Sequence, residues 1–175
     1  YQKVLEQYIS ACDFPMLLEE NLFSSVCNKM YSMDIIKEFD LKFDESCPAG
    51  EDTLFNIEYA KNIKGFSIVD KPLYYYHLKD EEGLHSLYNA RRLEVSKEIY
   101  RRLKELAVHF GSSGKMRFYI RKNALEEWIF AIWQYALYGK KWFYAKYKTL
   151  KKVINSPEYI EIAPYIDFIP IPPKR

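Results

Sequence analysis

The sequence predicts a mostly helical α+β protein, and three observations lead to that fold class. Hydrophobic residues make up 49% of the 175 residues, which is enough to bury a core. Apolar residues recur at helical spacing through most of the chain. Two runs, 66–69 and 73–77, are instead rich in β-branched and aromatic residues, and these predict short strands.

The first fifty residues are expected to hold three short helices. Apolar spacing predicts helices over residues 4–11 and 15–23. Residues 25–31 are ambiguous and favour a short buried strand or extended segment. Ser32 is a typical N-cap for a helix that runs to about residue 39. A loop rich in Asp, Ser and Pro follows over residues 40–49.

The middle of the chain predicts one amphipathic helix followed by the two strands. This helix follows Gly50 and places Leu54 and Ile57 on one face. Gly65 is expected to end it. The strands over 66–69 and 73–77 then follow.

The C-terminal part is predicted to be helical. One helix is expected over residues 91–110, and a second helical region runs over 116–154 with a break near Gly139. Ser156 and Pro157 form a typical helix start, with a capping hydroxyl and proline at the first helical position.

Charge divides the chain into two regions. Residues 1–110 carry 14 Lys/Arg against 19 Asp/Glu, a net charge of −5, whereas residues 111–155 carry 10 against two, a net charge of +8. A Gly-Ser-Ser-Gly stretch at 111–114 separates them. We therefore divide the chain into residues 1–110 and a helical, aromatic and basic extension over 111–175.

The three cysteines are Cys12, Cys27 and Cys47, an odd number with no CxxC pair. That pattern excludes an ordinary secreted disulfide framework and favours reduced thiols in the cytoplasm.

Three ordered segments carry the strongest functional signal. They are GEDT at 50–53, SVCNKMY at 25–31 and FSIVDKPLYYY at 66–76. Their order resembles the C-terminal half of bacterial family 2 glycosyltransferases, the inverting enzymes that use nucleotide sugars and have the GT-A fold. The resemblance covers residues 1–106. It implies that residues 1–110 are the C-terminal portion of a GT-A domain, acting in surface polysaccharide or lipopolysaccharide synthesis.

The resemblance also implies roles for particular residues. Asp52 would be the catalytic base, and Glu51 would orient the acceptor or neighbouring groups. From the residues alone, an acidic pair that stabilises a helix N-terminus is an ordinary alternative. Asn28 and Lys29 are candidate acceptor-binding residues, or a solvated turn.

The aromatic and histidine residues in and after the second predicted strand are further candidates. Tyr74 and Tyr76 could stack on an acceptor sugar, although alternation on a strand would place one face in the core. In GT-A enzymes a histidine in this region often helps to hold a metal ion, so His77 and His85 are candidate ligands for a divalent metal, Mn or Mg.

A complete GT-A enzyme begins with a nucleotide-binding half that contains an Asp-x-Asp metal motif, and no such motif occurs here. We expect that half to precede this fragment and to bring the nucleotide-sugar donor and the metal, so no cofactor is expected in the fragment alone. The expected acceptor is a sugar or a lipid-linked acceptor.

The basic aromatic extension leaves a second interpretation open, a non-catalytic interaction module. Aromatic residues over 128–138 followed by six lysines over 140–152 suit either a packed helical core or a membrane surface. The membrane alternative implies a peripheral position on the inner face of the membrane. No nucleic-acid-binding motif accompanies these residues, so nucleic acid is not an expected partner.

Overall fold

The computed structural model describes residues 7–10, 14–45, 47, 49–69, 71, 73–75, 91–111 and 113–168. It confirms the mostly helical α+β class. The elements in chain order are β1 (Gln7–Ser10), α1 (Phe14–Glu19), α2 (Met33–Glu38), α3 (Glu51–Ala60), β2 (Gly65–Ile68), α4 (Arg92–His109), α5 (Gly114–Tyr138), α6 (Phe143–Ile154), α7 (Pro157–Ile162) and a 3-10 helix (Ala163–Phe168).

The two strands form an antiparallel pair, with Gln7 opposite Ile68 and Ser10 opposite Gly65. The helix predicted over 4–11 is therefore wrong for residues 7–10. A four-residue segment can satisfy its backbone groups by pairing with a distant strand, and local apolar spacing does not reveal that partner. Gly65 also begins β2 and does not end α3, which ends at Ala60.

Two other expected strands are absent from the described residues. Residues 73–75 adopt no strand, and the rest of the predicted run over 73–77 lies outside the described residues. Residues 25–31 form turns and irregular backbone, because side chains of α3 take up several of their backbone groups.

One hydrophobic core joins the N-terminal helices to the C-terminal extension. α5 packs along α4 and against α1, and α3 also packs on α4. Ile57 of α3, Leu106 of α4 and Ile162 of α7 are completely buried in this core. The core therefore crosses the boundary between residues 110 and 111.

The connection between α4 and α5 is a tight turn. Gly111 has a φ of 80°, a left-handed conformation that favours glycine. The Ser113 hydroxyl accepts a hydrogen bond from the Met116 N–H at 3.1 Å and so caps α5. The stretch predicted as a linker thus reverses the chain and brings α5 back along α4.

Capping also sets the later helix boundaries. Gly139 follows the last residue of α5, as the predicted break requires. Ser156 caps α7 by accepting from the Tyr159 N–H, and Pro157 occupies the first helical position. These two predictions are confirmed.

Candidate functional site

The candidate site begins at the turn before α3. Gly50 has a φ of 92°, and a Cβ there would lie 2.8 Å from Ile99 Cδ1 and 3.0 Å from Val95 Cγ1. Glycine therefore allows this turn to lie directly against α4. The turn places Glu51 and Asp52 in the first turn of α3, where the helix dipole favours negative charge by about 0.3–1 kcal/mol.

Asp52 joins α3 to the loop over residues 22–32. Its Oδ2 accepts a hydrogen bond from the Val26 backbone N–H at 3.2 Å. On the next residue, the Thr53 hydroxyl lies 3.5 Å from the Ser24 carbonyl oxygen. Two of the segments that carry the family resemblance, 25–31 and 50–53, are thus adjacent in the structure.

Asn56 is the main anchor of this loop, and sequence reasoning missed it. Its side chain is buried, and Nδ2 donates to the Phe23 carbonyl oxygen at 2.7 Å and to the Ser24 and Ser25 carbonyl oxygens at 3.2 and 3.3 Å. Its Oδ1 accepts from the Tyr31 hydroxyl at 2.6 Å. A single asparagine within the otherwise apolar run 54–57 was the available signal.

Lys29 turns inward over the same loop. Its Nζ donates to the carbonyl oxygens of Leu22 and Ser25 and, at 2.8 Å, to Asn28 Oδ1. Burial lowers the pKa of the Lys29 ammonium to about 8, against the opposing effect of the Asp52 carboxylate. The structure therefore brings the predicted residues Asn28 and Lys29 close to Asp52.

The hydroxyl of Tyr31 belongs to the same polar cluster. Burial, and then the charge of Asp52, raise the pKa of the Tyr31 hydroxyl above its usual range. Tyr31 stays protonated at neutral pH, so it donates its hydrogen bond to Asn56. Tyr59, one turn beyond Asn56, accepts from the Ser32 backbone N–H at 2.8 Å and completes the attachment of the loop to α3.

Glu51 faces a different part of the structure from Asp52. Its charge acts on Cys47, whose thiol pKa is raised mainly by burial. The Glu51 Oε2 atom is buried and has no hydrogen-bond partner among the described residues. The two neighbouring carboxylates therefore have different surroundings, one bonded to the loop and one without a bond at Oε2.

Of the remaining predicted site residues, Tyr74 alone lies within the described ranges. Tyr74 lies in a non-strand segment and is exposed. Tyr76, His77 and His85 lie outside the described residues. Where the structure describes the chain, no three His, Cys, Asp or Glu side chains come together as a metal site would require.

Comparison of the chain with protein-family models, with curated proteins and with solved structures gave no match in any of the three.

Proposed function

We propose that this chain is the acceptor-side part of an inverting, nucleotide-sugar-dependent glycosyltransferase of family 2, with Asp52 as its catalytic base. The single observation that carries the proposal is the position of Asp52. It stands at the start of α3, bonded to the Val26 N–H and beside the half-buried Lys29. A carboxylate held in this way can accept a proton without first reorganising its surroundings.

In the proposed reaction, the acceptor hydroxyl attacks the anomeric carbon of the donor sugar. Its proton passes to the Asp52 carboxylate, and the bond from the anomeric carbon to the nucleotide diphosphate breaks. General base catalysis of this kind typically contributes about 10²–10⁴-fold to the rate. Asp52 takes part directly, and Lys29 and Asn28 help to form the acceptor side of the site.

Other parts of the proposal concern groups beyond this cluster. Glu51, with one oxygen unbonded, would orient the acceptor. The donor and a divalent metal, Mn or Mg, would be held mainly by a preceding nucleotide-binding half, with His77 and His85 as candidate ligands. A sugar or lipid-linked acceptor and a role in cell-envelope polysaccharide synthesis at the inner face of the membrane follow from the resemblance.

The test compares two substitutions of Asp52 in the protein that carries the nucleotide-binding half. Asp52→Asn keeps an oxygen that can accept from the Val26 N–H but removes the base, whereas Asp52→Ala removes both. We expect transfer to fall by at least about 10²-fold in each variant, with donor binding little changed. Asp52→Ala should lower the free energy of unfolding more than Asp52→Asn, which keeps the bond to Val26 and loses only the charge at the start of α3.

Asp34→Asn is the matched control, because Asp34 is an exposed carboxylate in the first turn of α2. It should leave transfer within about twofold of the wild-type rate, as expected for an exposed residue away from the chemistry. If Asp52→Asn transfers sugar at the wild-type rate, Asp52 only anchors the loop and the base lies elsewhere. That result would favour the interaction-module interpretation of this region.

A further inference from the structure

Helix α6 presents an aromatic surface that the fold leaves exposed. None of its 12 residues is buried. Phe143, Tyr147 and Ile154 recur at intervals of four and seven, which places them on one side of the helix, and each is exposed. Trp142, just before the helix, is 89% exposed, and Phe143 is 83% exposed. The helix thus packs on α5 and α7, with Val153 against the core, and leaves Phe143, Tyr147 and Ile154 in solvent.

The C-terminal end of α5, which lies next to α6 in the chain, also carries exposed aromatic side chains. Phe130, Trp133 and Leu137 follow one another at intervals of three and four and are all exposed, as is Tyr138. The rings of Phe130 and Trp133 stack with centroids 6.0 Å apart. The four residues between α5 and α6 include the exposed Trp142, so exposed aromatic side chains occur at the end of α5, in the connection and on α6.

The same segment carries an unbalanced positive charge. Residues 128–157 contain six lysines and no Asp or Glu. Over the described residues, none of these lysines forms an ion pair, whereas the basic residues of α4 pair with Glu side chains. Lys146 donates to the Ala136 carbonyl oxygen, and Lys151 lies over the Tyr147 ring. The four others, Lys140, Lys141, Lys148 and Lys152, are exposed.

We propose that this corner, formed by the end of α5, residues 139–142 and α6, docks on the surface of a bilayer that contains anionic lipids. Exposed tryptophan, phenylalanine and tyrosine would enter the headgroup and acyl boundary, and the lysines would face anionic headgroups. No helix within the described ranges is long and apolar enough to cross a membrane. The docking is therefore interfacial.

Charge and side-chain type favour a lipid surface over two other partners, a second copy of the chain and a nucleic acid. A second copy of the chain would bring another six lysines against these six, and like charges facing each other oppose association. A nucleic acid would match the charge and could stack on aromatic rings, but it offers no apolar medium for Leu137, Phe143 and Ile154. A lipid surface suits both the charged and the aliphatic side chains.

The experiment measures binding of the full chain to sedimented vesicles of phosphatidylcholine, with and without about 30% phosphatidylglycerol. Binding should require the anionic lipid and weaken when salt rises from about 0.01 M to 0.15 M, because the Debye length falls from about 30 Å to about 8 Å. Tryptophan fluorescence should shift to shorter wavelength on binding, and Trp142→Phe should reduce that shift and leave the part that comes from the exposed Trp133.

Two sets of four lysine-to-glutamine substitutions distinguish binding through this surface from general electrostatic attraction of the whole chain to the vesicle. The test set changes Lys140, Lys141, Lys148 and Lys152, four of the exposed lysines of the corner, and the matched control set changes four exposed lysines elsewhere. At low salt, the test set should lower the partition coefficient at least about 30-fold and the control set by less than about threefold. The control set is Lys37, Lys42, Lys64 and Lys71.

Aromatic side chains are tested separately by Trp142→Ser with Phe143→Ser, two exposed residues whose loss should leave the fold intact. This pair should lower binding about tenfold or more and leave the salt dependence in place. Equal losses in the two lysine sets, no binding to anionic vesicles, or tighter binding to single-stranded RNA than to vesicles would each overturn the proposal. No sugar enters this assay, so its outcome is independent of the proposed transferase function.

Discussion

Replacing Gly50 by alanine should destabilise the fold through two separate effects. The first is backbone strain, because a residue with a side chain at a φ of 92° costs about 1–2 kcal/mol. The second is overpacking, since the new Cβ would lie 2.8 Å from Ile99 Cδ1 and 3.0 Å from Val95 Cγ1, and overpacking typically costs about 1–3 kcal/mol. Together they give an expected loss of about 2–4 kcal/mol in the free energy of unfolding, part of the strain being offset in the unfolded chain.

Two other glycines separate these effects. Gly111 has a φ of 80°, but a Cβ there would meet nothing within 4 Å, so Gly111→Ala should show strain alone, about 1 kcal/mol. Gly114 has neither a positive φ nor a close neighbour, so Gly114→Ala should be neutral or stabilising by up to about 1 kcal/mol. Urea unfolding followed by far-ultraviolet circular dichroism measures all three.

A double mutant then tests whether Ile99 Cδ1 is the atom that the new Cβ of Gly50→Ala overlaps. Ile99→Val removes Cδ1, the atom nearest the new Cβ, and by itself should cost about 0.5–1.5 kcal/mol. In the Gly50→Ala background its cost should shrink or vanish, which corresponds to a favourable coupling of at least about 0.5 kcal/mol. Equal losses for Gly50→Ala and Gly111→Ala, with no coupling to Ile99, would show that the turn before α3 does not depend on its contact with α4.

The remaining predictions concern the loop and the caps. Asn56→Ala should lower the free energy of unfolding by about 2–4 kcal/mol, because it leaves loop carbonyl oxygens without a hydrogen bond. Tyr31→Phe removes only the hydrogen bond to Asn56 Oδ1 and should cost about 1 kcal/mol. A smaller loss for Asn56→Ala than for Tyr31→Phe would contradict the anchoring role of Asn56. Ser156→Ala should cost about 1 kcal/mol by removing the cap of α7, and an unchanged urea midpoint would show that the cap is dispensable. Because the folded-state pKa of Lys29 is lowered to about 8, the unfolded chain binds more protons between about pH 8 and 10, so the free energy of unfolding should rise with pH there. Lys29→Met should flatten that rise, and an equal slope in both proteins would assign it to other groups.

The parts of the fold that the sequence predicted correctly depend on residues close together in the chain. Ser156 and Pro157 determine the start of α7 because capping and proline geometry act within one helical turn. The end of α5 at Gly139 is equally local. β1 was missed because its residues become a strand only by pairing with β2, more than fifty residues later.

The candidate site also contains residues that the sequence predicted and one that it did not. Asp52 and Lys29 could be chosen from their segments, and the structure places them together. The role of Asn56 could not be predicted, because it consists of bonds to backbone carbonyl oxygens, which every residue carries and which no side-chain pattern marks. The inward orientation of Lys29 has the same origin, since the Leu22 and Ser25 carbonyl oxygens hold its ammonium.

The shared core has a consequence for how the chain folds as the ribosome makes it. Phe14 near the beginning and Ile162 near the end are buried in the same cluster, which is completed by the long α5 packed between them. Synthesis runs from the N-terminus, so the apolar faces with which α1 and α4 contact α5 have no partner until α5 follows. This core is therefore completed only after α7 has left the ribosome, and nascent chains stalled before that point should be cut readily by proteases.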